Sequence, residues 1–246
     1  MQEKLFLDSK SGKVCCLHHH VEKSIAVVIL GHGYLSDKQS RTNTELSKRL
    51  NSAGISTLSY DMYGHGESQG NAEYLTISKA VENLITVYDY AKLQGYKKVG
   101  VSGSSFTGIV SLIGASKRAF DVIVLKCPVF DSKMLWDDRL GIVGVKKWKE
   151  SGFIEPFGKK WRFGAYEDAS QYDMYAIVRG INVPILVIHG DKDETVPIKH
   201  AHEIISNSNA QLVVVAGADH FFRNPVHFEY MIKNSFDWFL LHLNIS

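Results

Sequence analysis

The stretch Val99-Gly100-Val101-Ser102-Gly103-Ser104-Ser105-Phe106-Thr107-Gly108 decides how this chain is read. A short run rich in valine enters a Gly-Ser-Ser-Phe-Thr-Gly turn, and the turn opens an apolar helix carrying Ile109, Val110, Leu112 and Ile113. A buried strand turning sharply into a helix displays the residue at its apex, which is the outline of a nucleophile elbow. Gly103 permits the tight turn, and Gly108 lets the next helix pack closely against the sheet. Ser105 is the best-placed apex, because Ser102 still belongs to the strand and Ser104 stops one residue short. A serine in this position can also simply cap a helix. Thr107 stands where the strict Gly-x-Ser-x-Gly pattern has its second glycine. It either reshapes the elbow beside Phe106 and narrows a pocket there, or disables the donors that such a turn provides. A serine hydroxyl is a weak nucleophile unless a base takes its proton, so its partners must lie elsewhere in the chain.

Composition sets the frame for that search. With 246 residues, 45% of them hydrophobic, the chain can fill one large α/β domain or a core domain with an insertion. A formal charge of +2 arises from nearly balanced acids and bases without a dense Lys/Arg run, so neither nucleic acid nor an anionic membrane is indicated. Cys15, Cys16 and Cys127 make a poor disulfide framework and suit a reducing, cytoplasmic compartment. The N-terminal Met1-Gln2-Glu3-Lys4 begins no long apolar leader, and no aliphatic run is long enough to span a bilayer.

Outward from the elbow, strands and helices alternate. Lys4 to Leu7 and Lys13 to His18 read as a hairpin, and Ile25 to Leu30 as a strand buried on both faces. Thr42-Asn43-Thr44-Glu45 has capping-box spacing and predicts a helix to about Ala53. Further strands are expected at Ile55–Tyr60, Lys98–Ser102, Val122–Leu125, Pro184–Ile188 and Gln211–Val215. Helices are expected around Ile77–Ala91, Lys199–Ser206 and Phe228–Phe239. This rhythm predicts a mostly parallel eight-stranded sheet flanked by helices. It breaks from Asp131 to about Gly180, a stretch crowded with aromatic and basic residues, so residues 131–180 read as a lid inserted after the sixth strand. Residues 1–130 and 181–246 then form the core domain.

In an open parallel sheet, reactive groups gather at the carboxyl ends of the strands. Past Ile188 comes Gly190-Asp191-Lys192-Asp193-Glu194-Thr195-Val196-Pro197, and past the next strand comes Gly217-Ala218-Asp219-His220. An Asp to orient an imidazole and a His to deprotonate Ser105 therefore follow in the order Ser, Asp, His. Asp191, Asp193 and Asp131, which lies just past the strand before Pro128, all compete for the acidic role. His32 reads as loop support and His65 as structural. Cys15, Cys16, His18, His19 and His20 do not form a metal site, since neighbours on a strand face opposite ways.

Taken together, His32-Gly33-Tyr34, Asp61-x-x-Gly64-x-Gly66-x-Ser68, Gly103-x-Ser105-x-x-Gly108, Gly190-x-x-Asp193-x-x-Val196-Pro197 and Gly217-x-x-His220 resemble an α/β-hydrolase of the serine-esterase type. The similar branch holds carboxylesterases, monoacylglycerol lipases and small feruloyl or cinnamoyl esterases, and the resemblance covers nearly the whole chain. It implies Ser105 as nucleophile, His220 as general base and acid, and Asp193 rather than Asp191 as the orienting acid. It further implies an oxyanion hole from the backbone N–H groups of Tyr34 and Phe106, and no cofactor. A serine at the elbow counts against the epoxide- and halide-processing relatives, which use Asp there, and against dienelactone hydrolases, which use Cys.

The aromatic residues of the insertion, Trp136, Trp148 and Trp161 among them, are expected to line a substrate pocket. The clusters Lys146-Lys147-Lys149 and Lys159-Lys160-Arg162 suit a solvated surface and could also draw anionic substrates toward the lid. The expectation is a serine hydrolase that cleaves small, medium or aromatic acyl esters through an acyl-enzyme, with a small-molecule ester as partner and homodimer formation left open. An acyl thioesterase or related acyl hydrolase, or a ligand-binding module without turnover, are the alternatives.

Overall fold

Four of the central strands are buried along their whole length: β3 (Ala26–Leu30), β4 (Ser56–Tyr60), β6 (Val122–Lys126) and β9 (Ile185–Gly190). Strands buried end to end in this way are stable only where helices cover both faces of a parallel sheet. The chain supplies those helices between strands. The structure is a computed structural model and describes residues 2–243. Met1 and residues 244–246, included in the expected core segments, lie outside the described residues.

The eight strands are ordered β1-β2-β4-β3-β5-β6-β9-β10, with β1 (Gln2–Ser9), β2 (Gly12–His19), β5 (Lys98–Ser104) and β10 (Gln211–Val215) completing the sheet. The β1–β2 hairpin and the β2–β4 pair are antiparallel; every other pairing is parallel. Alternate residues of β3 serve opposite layers, as the strand period of two requires. Val27 and Ile29 pack with α2 (Ile77–Leu93) and α3 (Phe106–Lys117), whereas Ala26, Val28 and Leu30 pack with α1 (Arg41–Ser52) and α8 (Pro225–Leu243). The expected α/β-hydrolase fold is the observed one. The expected capping box is not: Ser40 caps α1 by accepting from Asn43 N, and Glu45 instead pairs with Arg49 one turn on. Ser40 wins because the helix already begins at Arg41, two residues before a helix capped by Thr42 would start.

Residues 131–180 add no strand to this sheet. They form α4 (Ser132–Ser151), a short antiparallel pair β7 (Phe153–Ile154) and β8 (Trp161–Arg162), then α5 (Gly164–Ala169) and α6 (Met174–Arg179). α4 is broken at Gly141, whose backbone is non-helical. The inserted aromatics interlock edge-on, with Trp136 5.5 Å from both Trp148 and Trp161, and join the same buried cluster as α2 and α3. α7 (Lys199–Ser206) separates β9 from β10. No helix among the described residues is long and apolar enough to cross a membrane.

The histidine run at the end of β2 points to opposite faces: His18 bonds Tyr96, while His19 bonds Ser47 and Asn51. The loops that follow β3 and β4 are tied by a buried ion pair. Asp61 is fully buried, and its carboxylate accepts from Lys38 Nζ at 2.6 Å, Lys38 N at 2.7 Å and Glu67 N at 2.9 Å. Gly66 makes room for it, since a Cβ there would fall 2.2 Å from Asp61 Oδ2. Lys38→Met removes the cation and leaves a buried carboxylate behind, so urea denaturation should show a loss of about 3–5 kcal/mol. A loss below about 1 kcal/mol, the range of surface pairs, would show that the pair is dispensable.

Candidate active site

The turn after β5 holds Ser105 at φ 54° and ψ −113°, a conformation that side-chain-bearing residues adopt only under constraint. The constraint is visible on every side. Ser105 N–H donates to Lys126 O at 2.9 Å, and Ser105 O accepts from Gly108 N at 2.9 Å and Val129 N at 3.0 Å. The glycines of the turn are needed for space. A Cβ on Gly103 would come within 2.5 Å of Ser111 Oγ and Thr107 O, and one on Gly108 would come within 2.5 Å of Pro128 Cβ. Gly103 thus serves close packing and does not supply a positive φ.

Thr107 neither narrows the cleft nor crowds the turn. Its side chain is fully buried behind the elbow, where Oγ1 accepts from Ser104 N at 2.8 Å and donates to Ser104 O at 3.0 Å. Gly31, at the end of β3, leaves the space: a Cβ there would lie 2.9 Å from Thr107 Cβ. The threonine therefore braces the turn with bonds a glycine could not make.

The loops after β9 and β10 bring an acid and an imidazole to the serine. His220 Nδ1–H donates to Asp193 Oδ2 at 2.6 Å, and Ser105 Oγ–H donates to His220 Nε2 at 3.0 Å. Asp193 Oδ1 accepts from Thr195 N at 2.8 Å and Val196 N at 2.7 Å, while His189 Nε2 lies 3.3 Å from Oδ2. The other two acids are engaged elsewhere: Asp191 accepts from Gly217 N, and Asp131 caps α4 through Met134 N. Burial would raise the Asp193 pKa, but the bonds from His189 and His220 outweigh it and hold the carboxyl well below the usual carboxylate range. Burial lowers the His220 pKa, against the pull of Asp193, and the positive charge of Lys126 lowers it further. A neutral imidazole beside an ionised carboxylate is the state able to receive a proton from Ser105.

His32 and His65 organise the loop beside the elbow. His32 donates from Nδ1 to Gly33 O and accepts at Nε2 from Met62 N; His65 does the same with Tyr63 O and Leu35 N. Burial pushes His32 down to about 4, so it stays neutral and keeps its accepting nitrogen.

Two clefts meet at Ser105 and share Tyr34, Phe157 and Thr195 as walls. One is narrow, about 40 Å³, and is lined mainly by Phe106, Val129, Leu135, Trp136 and Trp161, with Arg139 also in its wall. The other, about 450 Å³, opens past His220 toward the first turn of α1. Trp136 and Trp161 stand in a wall of the narrow cleft. Trp148 does not: it is 1% exposed behind them, donating its indole N–H to Trp161 O. Tyr34 stacks on Trp161 with centroids 4.8 Å apart, and its hydroxyl is enclosed without a hydrogen-bonding partner among the described residues.

Sequence reading missed His189 and Lys126. Each is a polar residue that follows four consecutive Val, Ile or Leu residues near the carboxyl end of its strand, and that interruption is the signal that could have found them. Cys127, His189 and Asp193 bring ligand-type atoms within 4.8 Å of one another, all buried. They fit a metal poorly. Burial pushes the Cys127 thiol up, away from the thiolate a metal needs, and Asp193 is already saturated by donors.

The fold is that of the α/β-hydrolase class. The chain belongs to the prolyl oligopeptidase family, whose model matches residues 63–246. Among solved structures it is similar to Est1E from Butyrivibrio proteoclasticus with ferulic acid bound, at a TM-score of 0.87, 22% identity and coverage of 97% of this chain and 98% of that one. Mouse α/β-hydrolase domain-containing protein 10 matches at a TM-score of 0.83, 18% identity and coverage of 96% and 97%. In sequence, human palmitoyl-protein thioesterase ABHD10 is 21% identical over 222 residues, covering 83% of this chain and 70% of that protein. The chain spans only 42% of the Mycobacterium tuberculosis relatives it matches at 24% identity, and 54% of human ABHD12B.

Thr107→Val keeps shape but leaves the Ser104 N–H buried without an acceptor, so the protein should lose about 1–3 kcal/mol in urea denaturation. A neutral effect would mean that Thr107 does not brace the elbow.

Proposed function

We propose that the chain hydrolyses carboxylic esters through an acyl-enzyme on Ser105, with His220 as general base and acid and Asp193 as the orienting carboxylate. The observation that carries this reading is the continuous hydrogen-bonded line from Ser105 Oγ through the His220 imidazole to Asp193, at 3.0 and 2.6 Å. In the forward step Ser105 Oγ attacks the ester carbonyl as His220 Nε2 takes its proton. The tetrahedral oxyanion is held by the backbone N–H groups of Tyr34 and Phe106, both beside Ser105 in the narrow cleft. Phe106 opens α3, so its N–H has no carbonyl of its own helix to bond. His220 then protonates the departing alcohol, and water activated by the same imidazole releases the acid.

Supporting an aromatic or short acyl group is the narrow cleft walled by Phe106, Trp136 and Trp161. Residues 131–180 act as a lid in this reading, since Trp136, Phe157 and Trp161 all lie over the serine. Three free, buried cysteines suit a reducing, cytoplasmic compartment. The name of human ABHD10 makes a thioester the second substrate class to test, because the same line of groups would cleave it.

A fluorophosphonate probe should label the wild-type protein, and labelling should disappear in Ser105→Ala and fall at least about 100-fold in His220→Ala. Labelling that survives in Ser105→Ala would remove the serine from the reaction. Substrate class is decided by a panel of p-nitrophenyl esters of rising chain length beside hydroxycinnamate esters and acyl thioesters.

The pH profile follows from the lowered His220 pKa. The base works only when neutral, so kcat/KM should rise with pH and reach its plateau with an apparent pKa below the ordinary imidazole value of 6.5. A limb at or above that value would contradict the burial argument.

A further inference from the structure

The chain buries two lysines near these loops, and only one has a counter-ion. Lys38 is 4% exposed and lies between Asp61 at 2.6 Å and Glu67 at 2.9 Å. Lys126 is 8% exposed, yet no carboxylate among the described residues comes within ion-pair distance of its ammonium. Among the described residues its one side-chain bond is to Ser104 Oγ at 3.4 Å, long for a donor carrying a full charge, and the ring of Phe222 is 5.8 Å away. The two acids whose fields reach it are committed elsewhere. Asp193 holds His220, and Asp219 is held by Arg223. Burial consequently lowers the Lys126 pKa, the mark of a cation whose solvation has not been replaced.

The surroundings of that cation are lopsided. Lys126 lines the larger cleft next to Ser105, whose walls also include Arg41, Ser36, Ser40 and Thr42 but no Asp or Glu. Arg41 is exposed, forms no ion pair among the described residues, and is steadied flat against Phe228, with its guanidinium carbon 3.6 Å from the ring centroid. The first turn of α1, which contains no acidic residue, contributes Arg41 and Thr42 to the same wall. A buried ammonium, a second cation, several hydroxyls and a helix N-terminus facing one space together favour a negative guest.

We propose that this cleft is an anion subsite, in which Lys126, with Arg41 at the rim, binds a carboxylate or phosphate carried by the substrate beyond its scissile ester. The proposal rests on the ester-hydrolase reading and narrows it: the apolar cleft takes one side of the ester and the cationic cleft the charged side. Lys126 acts as a specificity residue, and its proximity to Ser104 places the charge one residue from the reacting serine.

The test compares matched substrates. On the acyl side, p-nitrophenyl glutarate is set against p-nitrophenyl pentanoate. On the alcohol side, 4-acetoxybenzoate and 4-acetoxyphenyl phosphate are set against neutral 4-acetoxybenzamide, which separates carboxylate from phosphate as the recognised group. At least one anionic ester should exceed its neutral partner about tenfold or more in kcat/KM, the range expected for one charge-assisted bond. That ratio should collapse toward one in Lys126→Met, be partly kept in Lys126→Arg, and weaken in Arg41→Ala. On wild-type protein, glutarate or phenyl phosphate should slow fluorophosphonate labelling, whereas their neutral analogues should not; this readout does not depend on whether a Lys126 variant folds. Equal rates for every pair, a ratio unchanged in Lys126→Met, or labelling indifferent to both anions would each overturn the subsite. A protein that labels normally but shows no anionic preference has lost only this proposal, whereas one that fails to label at Ser105 has lost the hydrolase reading beneath it.

Discussion

The backbone of Ser105 sits where a serine would not rest on its own, and much of the molecule exists to keep it there. Its N–H is bonded to the last residue of β6 and its C=O to the segment that follows, Thr107 pins the strand end from below, and Gly31, Gly103 and Gly108 each vacate space that a single methyl would fill. Non-glycine residues with positive φ recur around it at Leu35, Cys127, Phe157 and Phe222. Strain on the order of 1–3 kcal/mol for each such residue persists only where the surrounding packing over-determines it. The buried parallel sheet provides that packing, which is why the turn can be both distorted and fixed.

Electrostatics at the site follow from the same burial. Asp193 is out of water, yet it remains ionised because four groups, two backbone N–H and two imidazoles, converge on its two oxygens. His189 does not reach the serine. Its Nε2 is shared between Asp193 and Val196 O, so it fixes the loop that carries the acid. Lys126, on the neighbouring strand, disfavours a second positive charge on His220 and so helps keep that imidazole neutral.

Most of the fold was legible in the sequence because β3, β6 and β9 carry aliphatic runs and the longer helices carry apolar stripes. The elbow and the glycine-rich loops were legible too, since φ and space restrict which residues can stand there. What escaped was whatever depends on contacts across the chain. Trp148 looks like Trp136 and Trp161 in sequence, but only packing order decides that it stands behind them. The direction of the Thr107 side chain was invisible because the gap that receives it lies at Gly31, just past the end of β3. The Asp191/Asp193 ambiguity, left open by the residues alone, is removed in space: one accepts from a turn amide and the other touches His220.

The contacts that join Ser105 to His220 and His220 to Asp193 span 115 and 27 positions of the chain, and they meet only when β5, β9 and β10 occupy the same sheet. Pairing so distant in sequence must wait for the loops between to close, which makes a parallel sheet slow to assemble. No short fragment of this chain can hold the three groups together. The hydrogen-bonded line at Ser105 is thus a reporter of the whole molecule's folding, appearing when the last strands dock and vanishing when either of them opens.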